Sequence, residues 1–203
     1  MKSISPAEGK PVVAILGRPN VGKSALFNRL TGRRQSIVAD IPGVTRDRIY
    51  GDCEWAGRTL AVVDTGGMDP EDPDLLRQHV FSQARKALEE AAVLLFVVDG
   101  QAGPHPLDFE LAQLLRRSQK PTLLLVNKCE SPNVEAGRFE FYSLGLGEPL
   151  AISALHGTFT GDILDVVLSH LPAGREEADP DSLAVALVGR PNVGKSSLLN
   201  CLI

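Results

Sequence analysis

The 203-residue chain is poor in aromatic residues (5%), holds only three cysteines, and has no excess of positive charge. Its 21 Lys+Arg stand against 25 Asp+Glu, for a formal net charge of −4. Each shortage excludes something. Cys53, Cys129 and Cys201 are odd in number, far apart and form no CxxC pair. A disulfide framework is therefore excluded and a reducing, cytoplasmic setting is expected. His79, His105, His156 and His170 share no ligand spacing with the cysteines, which argues against a zinc site. The acidic balance lacks the basic footprint of a chain that grips nucleic acid with its own surface, so no direct nucleic-acid binding is expected. The longest apolar run, Ala91 to Val98, is too short to span a bilayer, and residues 1–10 contain no apolar core of a signal peptide. No membrane partner is expected. What remains is 43% hydrophobic, the composition of an ordinary globular domain.

The chain repeats itself. Gly17-Arg18-Pro19-Asn20-Val21-Gly22-Lys23-Ser24 recurs residue for residue at Gly189 to Ser196, and Leu26, Asn28 and Leu30 match Leu198, Asn200 and Leu202. The interval is far too long for a solenoid and has the size of a whole domain. The expected organisation is an N-terminal tail (1–10), one full domain (11–171), an acidic linker (172–182) and the opening of a second copy (183–203). The linker carries Glu176, Glu177, Asp179 and Asp181 among Pro and Gly without periodicity, which fits a solvated spacer. The second copy stops inside its first helix, without a metal aspartate or a base-reading motif, and is not expected to form a nucleotide site here.

Strand and helix patterns alternate in the first copy. Val12 to Leu16 reads as a strand, Lys23 to Leu30 as a helix, and Arg48 to Trp55 with Thr59 to Val63 as a hairpin around Ala56-Gly57-Arg58. Leu75 to Glu90, Pro106 to Arg117 and Ile163 to Leu171 read as helices. Ala92 to Val98 and Thr122 to Val126 are continuous apolar runs, as strands buried on both faces require, and Leu150 to Ile152 reads as the last strand. The pattern predicts an α/β fold, a mostly parallel sheet with helices on both faces and ligands at the carboxyl ends of the strands.

Gly17 to Ser24 fits GxxxxGK[ST] between a predicted strand and a predicted helix, the context that makes this phosphate loop credible. Its glycines let backbone N–H groups of Gly17, Asn20, Val21, Gly22, Lys23, Ser24 and Ala25 turn toward phosphate oxygens, and the helix N-terminus adds its dipole. Lys23 would reach the β- and γ-phosphates, and the Ser24 hydroxyl would join the shell of a Mg²⁺ ion. Thr45, in Gly43-Val44-Thr45-Arg46-Asp47, would close on that ion and the γ-phosphate. Asp64 would hold the same ion, and Gly67 would offer its N–H to the γ-phosphate.

The base is read from Asn127-Lys128-Cys129-Glu130 and Ser153-Ala154-Leu155. A carboxylate at Glu130 accepts from the N1–H and 2-amino donors of guanine. Adenine offers neither and would leave the charge unpaired, at a cost of roughly 1–3 kcal/mol or more. Asn127 would bond the base edge, the Lys128 stem would lie along the ring, and the Ala154 N–H would meet guanine O6. An ATP-dependent enzyme is opposed by the same motif.

Taken together, Gly17–Ser24, Thr45, Asp64–Gly67, Asn127–Glu130 and Ser153–Leu155 resemble a translation-factor-type GTPase with a small GTPase-like, P-loop NTPase fold. The tandem copies, with Pro42 to Arg48 and Asp99-Gly100-Gln101-Ala102-Gly103, are similar to the bacterial Der (EngA) GTPase family. The resemblance implies binding of GTP and GDP with Mg²⁺, hydrolysis of GTP, two GTPase domains before a KH-like domain, and help in assembling the large ribosomal subunit. It also implies that Asn20 holds a K⁺ ion near the phosphates, because Met68 stands where many GTPases place a water-orienting glutamine. Lys23, Thr45 and Asn20 are thus the expected catalytic residues of a slow, potassium-stimulated hydrolase. A nucleotide-gated binding module with negligible hydrolysis alone is the alternative. Glu130 departs from the aspartate usual in this motif, and its longer arm must retract. Arg46 and Arg48 read as solvated switch-loop charges or partner contacts, with an arginine finger in cis as the other reading.

Overall fold

The computed structural model describes residues 9–32, 37–38, 48–66 and 72–172. The tail before Gly9, the linker beyond Pro172 and the second copy lie outside the described residues, as do Thr45, Arg46, Gly67 and Met68. The elements run β1 (Val12–Leu16), α1 (Lys23–Thr31), β2 (Ile37–Val38), β3 (Ile49–Trp55), β4 (Arg58–Asp64), α2 (Pro73–Glu90) and β5 (Val93–Asp99). They continue with α3 (Pro106–Ser118), β6 (Thr122–Asn127), α4 (Pro132–Gly137), a 3₁₀ helix (Arg138–Leu144), β7 (Pro149–Ala151) and α5 (Thr160–His170).

One seven-stranded sheet has the order β2-β3-β4-β1-β5-β6-β7. Strands β4, β1, β5, β6 and β7 are parallel neighbours, whereas β3 runs antiparallel to both β4 and β2. The anticipated mostly parallel sheet is therefore present, with an antiparallel flank. That flank follows from the hairpin. Ala56 (φ 47°) and Gly57 (φ 75°) both take positive φ, the conformation that two-residue turns between twisted strands require. The turn is one residue tighter than expected, because Arg58 pairs with Trp55 inside the ladder.

Alternation of side chains divides the core. On one face Ala14, Leu16, Leu94, Phe96 and Leu124 pack with Ala84 and Ala87 of α2, Leu111 and Leu115 of α3, and Phe141 and Leu144 of the 3₁₀ helix. On the other, Val13, Ile15, Leu95, Val97 and Leu125 meet Leu26, Phe27 and Leu30 of α1 and Ile163, Leu164 and Val167 of α5. Every residue of β5 is buried, which explains its unbroken apolar run. Each such side chain contributes about 1.5–3 kcal/mol through removal from water. Helix starts are written locally: Asp72, His105 and Ser131 each accept a backbone N–H at the head of a helix whose next residue is proline. The helical stretch 132–144 has no strong periodicity and was not anticipated; it packs on the core through Phe141 and Leu144 alone.

Arg48 corrects an expectation. It is neither a solvated switch charge nor an arginine finger but a buried tie between the start of β3 and α2. Its Nε donates to Gln83 Oε1 at 2.9 Å, its Nη2 to the Gln83 carbonyl at 3.0 Å, and its Nη1 pairs with Glu90. Tyr50 donates its hydroxyl to the same Glu90 carboxylate at 3.1 Å. Burial and the neighbouring Glu90 charge push the Tyr50 hydroxyl above its usual pKa, so it stays a donor. Replacing Arg48 with Ala leaves the buried Gln83 and the half-buried Glu90 without their charged donor. The variant is expected to lose about 2–4 kcal/mol in urea unfolding followed by circular dichroism.

Candidate functional site: loops at the carboxyl ends of β1, β6 and β7

β1 lies at the middle of the seven-stranded sheet, and its carboxyl end runs into the loop 17–22 and then α1. Gly17 (φ 151°) passes so close to β5 that a Cβ would strike the Val97 carbonyl oxygen. Gly22 (φ 97°) is the N-cap of α1 and supplies no side-chain acceptor, and a Cβ there would collide with the Asn127 amide. The first-turn N–H groups of α1 are thus left to a ligand at the positive end of the helix. Lys23 is buried and donates from Nζ to the Arg18 carbonyl at 2.8 Å, which arches the loop over its own lysine. Ser24 and Ala25 are exposed at the helix start, and Val21 is buried beneath the loop. Asn20 is exposed with φ 63° and makes no cap for α1, since the cap is Gly22.

Asp64 ends β4, beside β1. It is 1% exposed; its Oδ1 accepts the Gly66 N–H at 2.8 Å, while Oδ2 is buried without a hydrogen-bond partner among the described residues. An ionised oxygen is too costly to bury unpaired, so this oxygen fits a hard cation such as Mg²⁺. Thr65 donates to the Ile15 carbonyl at 2.7 Å and locks the turn after β4 onto β1. A cleft opens between this loop and α2, lined by Gly17, Pro19, Lys23, Gly66, His79 and Gln83.

The base-reading residues gather on the other side of β1, at the ends of β6 and β7. Asn127 is buried; its Nδ2 donates to the Val21 carbonyl of the phosphate loop at 2.8 Å, and its Oδ1 accepts the Ala154 N–H at 2.9 Å. The Ala154 N–H expected at guanine O6 is thus engaged within the protein. Lys128, in left-handed backbone (φ 68°), reaches Asp99 Oδ2 at 2.5 Å, pinning the far end of the stem expected along the base. Asp99 was not among the anticipated site residues, although its place at the end of β5 is the signal that could have found it. Burial pushes its carboxyl up, but Lys128 and the N–H groups of Ala102 and Gln101 outweigh this and hold it below the usual carboxylate range. Glu130 accepts from the Ser153 hydroxyl at 3.4 Å and lies 3.7 Å from His156 Nε2, contacts that draw its longer arm back toward the 153–158 loop. Ser153 is itself buried and also accepts the His156 N–H at 3.2 Å, whereas Leu155 is 65% exposed.

Arg18 and Asp108 form a second feature that the sequence did not reveal. Arg18 Nε lies 3.6 Å from Asp108 Oδ2, with Asp108 fully buried on α3. Burial pushes the Asp108 carboxyl above its usual pKa, opposed by the Arg18 charge and by the His105 N–H. The pair fastens the phosphate loop to α3. Cys53 is buried and its thiol is pushed up to about 11 by burial and by Glu54, so it is not a nucleophile at neutral pH. Among the described residues no group of three or more His, Cys, Asp and Glu gathers as a metal site, and no helix is long and apolar enough to cross a membrane.

Residues 12–128 and 184–203 match the family described as 50S ribosome-binding GTPase. The chain is 56% identical over 194 residues to GTPase Der of Moorella thermoacetica, covering 96% of this chain and 44% of that protein. It is 55% identical over 193 residues to GTPase Der of Synechocystis sp., covering 95% of this chain and 43% of that protein. It therefore spans less than half the length of these curated relatives. Among solved structures, Era in complex with MgGDPNP and a segment of 16S ribosomal RNA is similar at a TM-score of 0.66 and 34% identity, over 81% of this chain and 57% of that one.

Removing the Asn127 side chain by Asn127→Ala strips partners from two backbone groups at once. The expected loss is about 2–4 kcal/mol of unfolding free energy, read from urea denaturation without nucleotide. Asp99→Asn tests the electrostatics with a defined sign. A depressed carboxyl stabilises the fold above its unfolded pKa of about 4, and this contribution fades as pH falls through the folded value. The wild-type advantage in urea midpoint is expected in full at pH 7 and to shrink steadily below pH 4.

Proposed function

Since the chain belongs to the 50S ribosome-binding GTPase family, we propose that it binds GTP and GDP, hydrolyses GTP slowly, and acts as a switch in assembly of the large ribosomal subunit in the cytoplasm. The observation that supports this reading is the Asn127 amide, which joins the phosphate loop at Val21 to the base-side loop at Ala154 and so ties the two loops together. Glu130 supplies the carboxylate that guanine requires and adenine cannot satisfy. The Gly17, Asn20, Val21, Gly22, Lys23, Ser24 and Ala25 backbone takes the phosphates, and Lys23 offsets charge on the β- and γ-oxygens. Ser24, Asp64 and Thr45 would hold Mg²⁺, which when bound neutralises phosphate charge; the unpaired Asp64 Oδ2 supports this assignment. Thr45 and Gly67 would sense the γ-phosphate, and the ribosomal large subunit would read the result in the longer protein of which the relatives are examples.

Met68 cannot orient an attacking water, so the developing charge needs another positive group. Asn20 fits this need: it is exposed in the phosphate loop and not spent on capping α1. A potassium ion held there would supply charge without a partner's arginine. Phosphate release from GTP by residues 1–203, compared in KCl and in NaCl at equal ionic strength, tests the reading. Faster turnover in KCl is expected. Equal, negligible turnover with nucleotide binding intact would instead establish a nucleotide-gated binding module. Glu130→Ala is expected to lower the preference for GTP over ATP at least tenfold in competition binding, and an unchanged preference would remove the guanine assignment.

A further inference from the structure

Arg29 lies in the last turn of α1, away from every motif, and its guanidinium grips the loop that follows β7. Its Nε donates to the Ala154 carbonyl at 3.3 Å and its Nη2 to the Leu155 carbonyl, two successive peptides. Gly157 (φ 78°) lies against the same guanidinium, since a Cβ there would come within 3.2 Å of Arg29 Cζ and Nε. The loop is otherwise closed on itself, with Gly157 N–H donating to the Ser153 carbonyl at 2.7 Å and His156 N–H to Ser153 Oγ. Fixing a carbonyl fixes the N–H on the far side of the same planar peptide. With the Ala154 carbonyl turned to α1, the Leu155 N–H points the opposite way, and it has no hydrogen-bond partner among the described residues. The neighbouring Ala154 N–H is taken by Asn127.

We propose that Arg29 is a positioning residue for base recognition: by holding the Ala154 and Leu155 carbonyls it aims the Leu155 N–H at the oxygen on C6 of the bound purine. This rests on the guanine-nucleotide reading above. Arg29 and the phosphate-binding Lys23 share one short helix, so the C6 donor is set in register with the phosphates through α1, independently of the Asn127 bridge.

The test measures equilibrium binding of three diphosphates to the full chain and to Arg29→Ala. The probes are GDP, inosine diphosphate (which keeps the C6 oxygen but lacks the 2-amino group) and 2-aminopurine riboside diphosphate (which lacks the C6 oxygen). Arg29→Ala is expected to weaken GDP and inosine diphosphate alike, by about tenfold, and to leave 2-aminopurine riboside diphosphate within twofold of wild type. Equal weakening of all three would mean a general structural role and would overturn the proposal, as would no weakening of any. If Arg29→Ala does not fold, Arg29→Lys carries the same comparison, because a single ammonium cannot hold both carbonyls in the fork geometry of a guanidinium. Failure of the underlying guanine reading shows separately, as a wild-type chain that does not prefer GDP to ADP.

Discussion

Asn127 spends its one side-chain amide in two directions, donating to Val21 in the phosphate loop and accepting from Ala154 in the loop after β7. Three segments far apart in sequence are thereby held at hydrogen-bond distance, and neighbouring residues bend to suit. Gly22 must lack a Cβ because the Asn127 amide occupies that space, and α1 begins without a side-chain cap because its cap residue is that same glycine. Lys128 takes left-handed backbone directly after the bridge, which turns its ammonium to Asp99 and leaves Glu130 beside Ser153. A buried amide in such a position is costly if unpaired and specific when fully paired.

Much of this was legible in the sequence because it is written in local patterns. The apolar runs of β5 and β6, the starts of α2 and α3 and the glycine-lysine-serine loop are short-range signals, and each lies within a residue or two of its expected place. The guanine-type motif was legible for a related reason: strand-ending residues in a parallel sheet converge at one edge whatever the intervening loops do. What was hidden are pairings between residues dozens of positions apart. Nothing near Arg48 in the sequence announces Gln83 and Glu90, and nothing near Arg18 announces Asp108; only the stacking of α2 and α3 on the sheet brings them together. Arg48 was read from the chemistry of exposed charges, and burial overturns that chemistry. The stretch 132–144 escaped because its few buried residues, Phe141 and Leu144, cannot mark a period.

The charged groups around the site divide by what holds them. Asp99 is satisfied on every side and is correspondingly acidic, whereas Asp108 is buried with one oxygen lacking a hydrogen-bond partner and titrates upward. Asp64 has one oxygen held by its own turn and the other bare. Three aspartates of identical chemistry thus become a structural anchor, a buried counter-charge and a half-satisfied carboxylate by nothing more than their neighbours.

The strand order carries a consequence for product release. With β1 between β4 on one side and β5, β6 and β7 on the other, the groups suited to a terminal phosphate and its cation sit on the hairpin flank, while those suited to a base sit on the purely parallel flank. On the proposed reading, cleaving a terminal phosphate would alter contacts at Lys23 and on the hairpin flank and leave those at the ends of β6 and β7 in place. The base half of the grip is common to substrate and product, so on the proposed reading hydrolysis resets the switch surface without emptying the site. Exchange then needs a separate event that opens the parallel flank, and the rate of that opening, rather than of bond cleavage, sets how long the molecule stays in its spent state.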